Sequence, residues 1–189
     1  MLNLEEKRFL ERAIELSRLG MTNEHGGPFG SVIIRNNEIV GEGYNMVIST
    51  SDPTAHAEIV AIREACKKLK TFHLPDCDIY TSCEPCPMCL GAIYWARPKR
   101  VIYANTRFDA AAIKFDDEFI YQQINTEMLQ RTIPFIHEPH PLALQVFEDW
   151  RKMENKATLG DSDLFRNTEE QDSLCAKVHL EFVLQETLE

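Results

Sequence analysis

At 189 residues, with 44% hydrophobic and 26% charged residues, the chain is long enough for one domain with a substantial core, and general disorder is excluded. No apolar run approaches a membrane span, and Glu5, Glu6, Lys7 and Arg8 stand where a secretory leader needs apolar residues, so a cytoplasmic protein without a membrane partner is expected. The formal charge of -10 opposes polyanions, whose binding rests on Lys and Arg neutralising phosphates, so a nucleic-acid partner is not expected.

Residues 4 to 19 place Phe9, Leu10, Ala13, Ile14, Leu16 and Leu19 at helical spacing, with Gly20 as a stop. After the glycine-rich Gly26-Gly27-Pro28-Phe29-Gly30, the run Ser31 to Ile34 and the run Glu38 to Val40 flank Asn36-Asn37, which predicts a hairpin turning at the two asparagines. A polar loop from Gly43 to Thr54 leads into a helix over 55 to 69 that turns Ile59, Ile62, Ala65, Cys66 and Leu69 inward. Asp78 to Thr81 reads as a strand, Pro85 to Ala96 as a helix ended by Pro98, and Arg100 to Ala104 as a strand, an order that implies a parallel crossover. Beyond a broken helix over 107 to 124, a last short strand is expected at 132 to 136 and a last helix at 142 to 152. The fold class is therefore α/β, a three-layer α/β/α sandwich around a five-stranded mixed sheet. We expect one domain over residues 1 to 154 and an acidic extension over 155 to 189, where eight acids face three bases and half of the net charge lies. Within that extension, Leu174 to Leu184 fits a strand and a helix equally.

The chemistry concentrates in His56-Ala57-Glu58 and Pro85-Cys86-Pro87-Met88-Cys89, each at a helix start. One histidine and two cysteines are zinc ligands by type, and three protein ligands leave a fourth position open for water, as in a catalytic zinc site. A nearby acid that need not ligate the metal can move protons. The helix N-terminus at Cys86 and Cys89 favours thiolate over thiol. The plain rival is a closed structural knot in which Cys83 is a fourth ligand, but Glu58 would then have no task and the chain has core enough to need no staple. The other cysteines, Cys66, Cys77 and Cys175, are scattered and read as buried thiols in a reducing compartment. The remaining histidines show no partner pattern, Met88 and Trp95 read as core, and Phe29 is equally core or an aromatic wall for a flat ligand.

H-x-E joined to P-C-x-x-C is the signature of zinc-dependent nucleobase deaminases. From Gly26 to about Trp150 the sequence resembles the bacterial guanine deaminases of the cytidine deaminase superfamily. The resemblance is carried by Gly27-Pro28-Phe29-Gly30, Asp52-Pro53-Thr54-Ala55-His56-Ala57-Glu58, Thr81 through Trp95, and Phe115-Asp116-Asp117. The first three stretches are shared with deaminases of transfer RNA adenosine, whereas Ala92 to Ala96 and Phe115 to Tyr121 resemble guanine deaminases in particular. The resemblance implies zinc (Zn2+) on His56, Cys86 and Cys89, with Glu58 as proton shuttle. It further implies that Asn45, Phe29, Ala57 and Trp95 contact a small-molecule nucleobase and that Asp117 is both substrate-binding and catalytic, accepting from the guanine edge that carries the N1 proton and the amine. A homodimer whose C-terminal segment closes the site is implied too. Here Leu159 stands where such families sometimes place an aromatic residue.

Overall fold

The computed structural model describes residues 2–154, which divide into two units between Phe135 and Ile136. The first unit begins with helix α1, Leu4–Thr22, whose start is fixed by a capping box: Asn3 accepts from the Glu6 N–H, and the Glu6 carboxylate accepts from the Asn3 N–H. The helix runs through Gly20 rather than stopping there. A Cβ at Gly20 would lie 2.8 Å from Tyr44 Cδ2, so the glycine serves close packing and the expected stop is corrected.

Strands β1, Gly30–Arg35, and β2, Glu38–Tyr44, form the expected antiparallel hairpin. Asn36 and Asn37 turn it with φ of 51° and 63°, the double left-handed geometry that matches strand twist and that Asn tolerates. β2 extends through Gly43 and Tyr44, where a loop was expected. Its glycines explain the extension, because a Cβ at Gly41 or Gly43 would meet the carbonyl of Ala61 or Ala57 at 2.4 Å. These carbonyls belong to helix α3, Ala57–Leu69, which lies directly on the β2 backbone. The one-turn helix α2, Val47–Thr50, sits in the connection before α3.

Strand β3, Cys77–Cys83, pairs antiparallel with β1, and strand β4, Arg100–Asn105, pairs parallel with β3 through helix α4, Pro87–Ala96. The order β2-β1-β3-β4 makes a mixed sheet. Period-two alternation sends Val32, Ile34 and Tyr80 against Ala13 and Leu16 of α1, and sends Ile33 and Ile79 against Ala61, Ala65, Ile93 and Ala96 of α3 and α4. The three layers are thus as expected, and each buried Ile or Val contributes about 1.5–3 kcal/mol.

Among the described residues the sheet has four strands, not five. Residues 132 to 136 form no strand: Pro134 removes a ladder donor in the middle of the run, and Ile133, Phe135 and Ile136 stay exposed. The broken helix resolves into α5, Arg107–Ala112, and α6, Glu118–Ile124, followed by a 3-10 turn, Met128–Gln130. The second unit contains helix α7, Pro141–Lys152, capped by His140, whose Nδ1 accepts from the Leu142 N–H at 3.2 Å. The extension over 155 to 189 lies outside the described residues.

Candidate active site

The loop before α3 is tied by Asp52, whose Oδ1 accepts from both the Thr54 N–H at 2.8 Å and its hydroxyl at 2.7 Å. That turn delivers His56 as the N-cap of α3 with Glu58 in the first helical turn. The other half repeats the arrangement: Cys86 is the N-cap of α4, Pro87 opens the helix, and Cys89 lies in its first turn. His56 and Cys86 thus stand one position before the helices proper. Neither side chain caps its own helix, so both are available for a ligand.

His56 Nδ1 lies 3.5 Å from Cys86 Sγ and 3.6 Å from Cys89 Sγ, and all three ligand atoms fall within 4.8 Å of one another. A tetrahedral ion with nitrogen at roughly 2.0–2.1 Å and sulfur at about 2.3 Å requires N···S separations of about 3.6 Å, so these residues fit zinc. Cys83 is outside the group. Its Sγ donates to the Thr106 carbonyl at 3.5 Å, and burial pushes its thiol up to about 11, so it stays a neutral thiol.

Proton sharing within the cluster also fits a cation. Cys86 is pushed down to about 4, first by the hydrogen bond from Cys89 and then by His56. Cys89 is pushed up as the partner that keeps its proton, and His56 is raised by its hydrogen bond to Cys86. A divalent ion held by these three residues would replace those shared protons with ligand bonds.

Glu58 is 6% exposed. Its Oε1 accepts from the Thr81 hydroxyl at 3.2 Å and its Oε2 from the Cys89 thiol at 3.4 Å. Burial raises its pKa, which suits a group that must take up and give back protons near neutrality.

Above the cluster is a cavity of about 660 Å³ with Phe29, Asn45, Glu58, Arg107, Phe115 and Asp117 on its walls. Phe29 meets Phe115 edge to face at 5.0 Å, which makes it a wall of the cavity. Asn45 is 5% exposed, and its Oδ1 accepts from the Val47 N–H at 3.2 Å, leaving its amide N–H groups as what it offers a ligand. Asp116 and Asp117 divide their tasks. Asp116 Oδ1 accepts from the Glu118 N–H at 2.9 Å and so stabilises the start of α6, while Asp117 makes no capping bond and lines the cavity. Burial raises the Asp117 pKa, opposed by Arg107, whose Nε lies 3.8 Å from Asp117 Oδ1.

Two expected contacts are not brought to the cavity. Trp95 is 64% exposed on α4, which also corrects its reading as core, and Ala57 is fully buried where α3 meets β2. Thr81 and Arg107 were missed by sequence reasoning. Alternation along β3 places Thr81 on the same face as Ile79, beneath α3, and that signal was available; nothing in the local sequence marks Arg107.

A His-Cys-Cys group that could hold a zinc ion, with a buried acid beside it, is what a hydrolytic zinc centre requires, and a wall of aromatic rings, an amide and a carboxylate suits a flat, polar ring. Residues 4–105 match the cytidine and deoxycytidylate deaminase zinc-binding region, and the chain belongs to that family. It is 52% identical to a guanine deaminase of Bacillus subtilis over 153 residues, 81% of this chain and 98% of the relative. The crystal structure of a Bacillus subtilis guanine deaminase superposes with a TM-score of 0.80 at 50% identity, covering 84% of this chain and 100% of that one. A transfer-RNA-specific adenosine deaminase of Haemophilus influenzae is 35% identical over 68% of this chain and 75% of its own length.

Proposed function

We propose that the protein deaminates guanine hydrolytically to xanthine and ammonia. The observation that carries this reading is the Asp117 carboxylate, freed from helix capping by Asp116 and turned to the cavity. A carboxylate only accepts hydrogen bonds, and guanine presents two adjacent donors, the N1 proton and the amine, where adenine presents an acceptor. The high identity to a guanine deaminase along nearly its whole length supports the same substrate.

Zinc, when bound by His56, Cys86 and Cys89, supplies a Lewis acid that makes water nucleophilic near neutral pH. Glu58 moves the protons. With Oε1 held by Thr81 and Oε2 facing the ligand cluster, it takes a proton from the attacking water and passes it to ring N3 as the water oxygen bonds to C2. It then carries the second proton to the amine as the C2–N bond breaks, so oxygen stays on xanthine and nitrogen leaves as ammonia. Phe29 stacks on the ring, and Asn45 donates to a purine acceptor.

The described residues also support the expected homodimer. The outer face of α4 exposes Leu90 (40%), Tyr94 and Trp95 (both 64%), an apolar surface opposite the buried Cys89, Ile93 and Ala96. A second copy covering it would shelter Trp95 near a site. Residues 1 to 154 then form the catalytic domain and 155 to 189 an appended acidic segment. No helix among the described residues is long and apolar enough to cross a membrane. Thiolate ligands suit a reducing compartment, which supports a cytoplasmic location.

The test is ammonia release by the zinc-loaded protein over guanine, guanosine, adenine, cytosine, small triazines and transfer RNA. Guanine is the expected substrate. Preference for another base, or for adenosine in transfer RNA, would overturn the substrate while keeping the chemistry, and silence on all would favour a zinc-stabilised interaction module.

A further inference from the structure

Arg107 is absent from the residues that carry the deaminase signature, yet it occupies a junction between the metal loop and the wall that faces the base. Its backbone N–H donates to Glu84 Oε2 at 3.0 Å, and the Glu84 N–H donates to the Asn105 carbonyl at 2.8 Å, so the start of α5 is tied to the loop that leads into Cys86. Thr106 and Asp109 close a capping box around the same turn, fixing where the Arg107 side chain sets out. From there the guanidinium reaches α6. It lies 4.0 Å from the centroid of the Tyr121 ring, pairs with Glu118, and presents Nε to Asp117 Oδ1 at 3.8 Å. The Arg107 side chain is 21% exposed and that of Asp117 16%, so the pair is largely removed from water, where a charge without a partner is costly.

We propose that Arg107 is a positioning residue that acts through Asp117, holding its carboxylate toward the cavity so that the site selects a purine with adjacent N1–H and amine donors. The proposal rests on the guanine reading. The geometry favours this role over direct substrate contact. Guanidinium carries donors only, so against the donor edge of guanine it would repel, whereas beside Asp117, with Nε toward Oδ1, it complements the charge and leaves the other carboxylate oxygen to accept from the base. Tyr121 and Glu118 hold the guanidinium from two further sides, which makes its position independent of substrate. A lysine cannot reproduce this arrangement, because a point ammonium on a flexible stem cannot face the Tyr121 ring and two carboxylates at once as the planar guanidinium fork does.

The experiment compares wild type, Arg107→Met, Arg107→Lys, Asp117→Asn and the double variant Arg107→Met/Asp117→Asn as zinc-loaded proteins. The readouts are guanine kcat/KM, the inhibition constant of 2-aminopurine against guanine turnover, zinc content and Tm. 2-Aminopurine keeps the amine but has an acceptor at N1. Arg107→Met is expected to lower guanine kcat/KM by about 10- to 100-fold, the usual loss when a supporting partner of a site residue is removed, while the 2-aminopurine constant moves less than about threefold. Arg107→Lys should recover only part of the loss, and the double variant should be no worse than Asp117→Asn alone, as for residues that act as one unit. Unchanged guanine turnover in Arg107→Met, equal losses for both purines, or a double variant whose losses multiply would overturn the assignment. Should Arg107→Met fail to fold, Arg107→Lys alone decides by the same comparison of purines. A wild-type protein silent on guanine would overturn the guanine reading together with the proposal, whereas active wild type with unselective Arg107 variants overturns only the proposal.

Discussion

Asn45 can hold a base only if Gly26 remains a glycine. A Cβ at position 26 would sit 2.0 Å from Asn45 Oδ1, 2.8 Å from its backbone oxygen and 2.9 Å from its Cγ. Ordinary carbon–oxygen contacts lie near 3.5 Å, so in Gly26→Ala the amide must retreat by roughly 1–1.5 Å. The backbone oxygen is held by the sheet end, where the Asn45 N–H donates to the Phe29 carbonyl at 3.0 Å, so the side chain moves first. That motion breaks the 3.2 Å bond from the Val47 N–H and carries the amide donors off their line to the purine. A displacement of about 1 Å in a positioning group costs on the order of 10²-fold in rate. Guanine kcat/KM should therefore fall by about that factor in Gly26→Ala, with zinc content unchanged because the ligand cluster is untouched. The assay is steady-state ammonia release by Gly26→Ala, Asn45→Ala and the double variant. If the reasoning holds, the double variant is no slower than Asn45→Ala. Near-wild-type turnover in Gly26→Ala, or losses that multiply in the double variant, would refute it.

Cys83→Ser should leave zinc content near one per chain, while Cys86→Ser or Cys89→Ser should remove most of it; loss on Cys83→Ser as severe as on the other two would restore the closed knot. Glu58→Gln should lower turnover by about 10² to 10⁴ or more, since an amide cannot shuttle protons. The same variant should stabilise the metal-free protein at neutral pH. Burial raises the Glu58 pKa from an ordinary 4.5, so its contribution to stability is complete below that value and declines as pH rises through the raised one. The Tm gap between metal-free Glu58→Gln and wild type should accordingly widen from pH 5 to pH 8, and a gap independent of pH would show that Glu58 is not strained by burial. Asp117→Asn should reduce guanine turnover by up to about 10⁴ with little change in Tm, whereas Asp116→Ala should cost about 1 kcal/mol of stability and little activity; the reverse pattern would exchange the roles of the two acids.

The metal half of the site was legible because its chemistry is local. His56 with Glu58, and Cys86 with Cys89, each lie within one helix start, where residue type and short spacing determine what the backbone places together, and the hairpin was legible for the same reason, through Asn36-Asn37. The missing fifth strand shows the limit of such reading. Residues 132 to 136 have strand-like composition, but a strand exists only through a partner, and Pro134 denies one of the donors that partner would need. Gly20 and Gly43 were misread because a glycine looks like a terminator when its neighbour across the fold is unknown; Tyr44 and the Ala57 carbonyl supply that neighbour. Arg107 was invisible because its meaning comes from Asp117, ten positions on, and from Glu84 on another element.

The bare contact of α3 with β2 makes each strand act as a ruler for one half of the chemistry. Because Gly41 and Gly43 let the α3 backbone come close to the β2 backbone, His56 and Glu58 are indexed to β2, as is Asn45, which follows that strand immediately. Cys86 and Cys89 are indexed instead to β3, whose last residue precedes them by a short loop. β1 lies between the two strands and pairs with both, accommodating an irregularity between Ile33 and Ile34 on the β2 side alone. Alignment of imidazole with thiolates is therefore a property of strand register. Slippage by a single residue, about 3.3 Å, would be as large as the ligand separations themselves and would dissolve the triad without altering any residue in it.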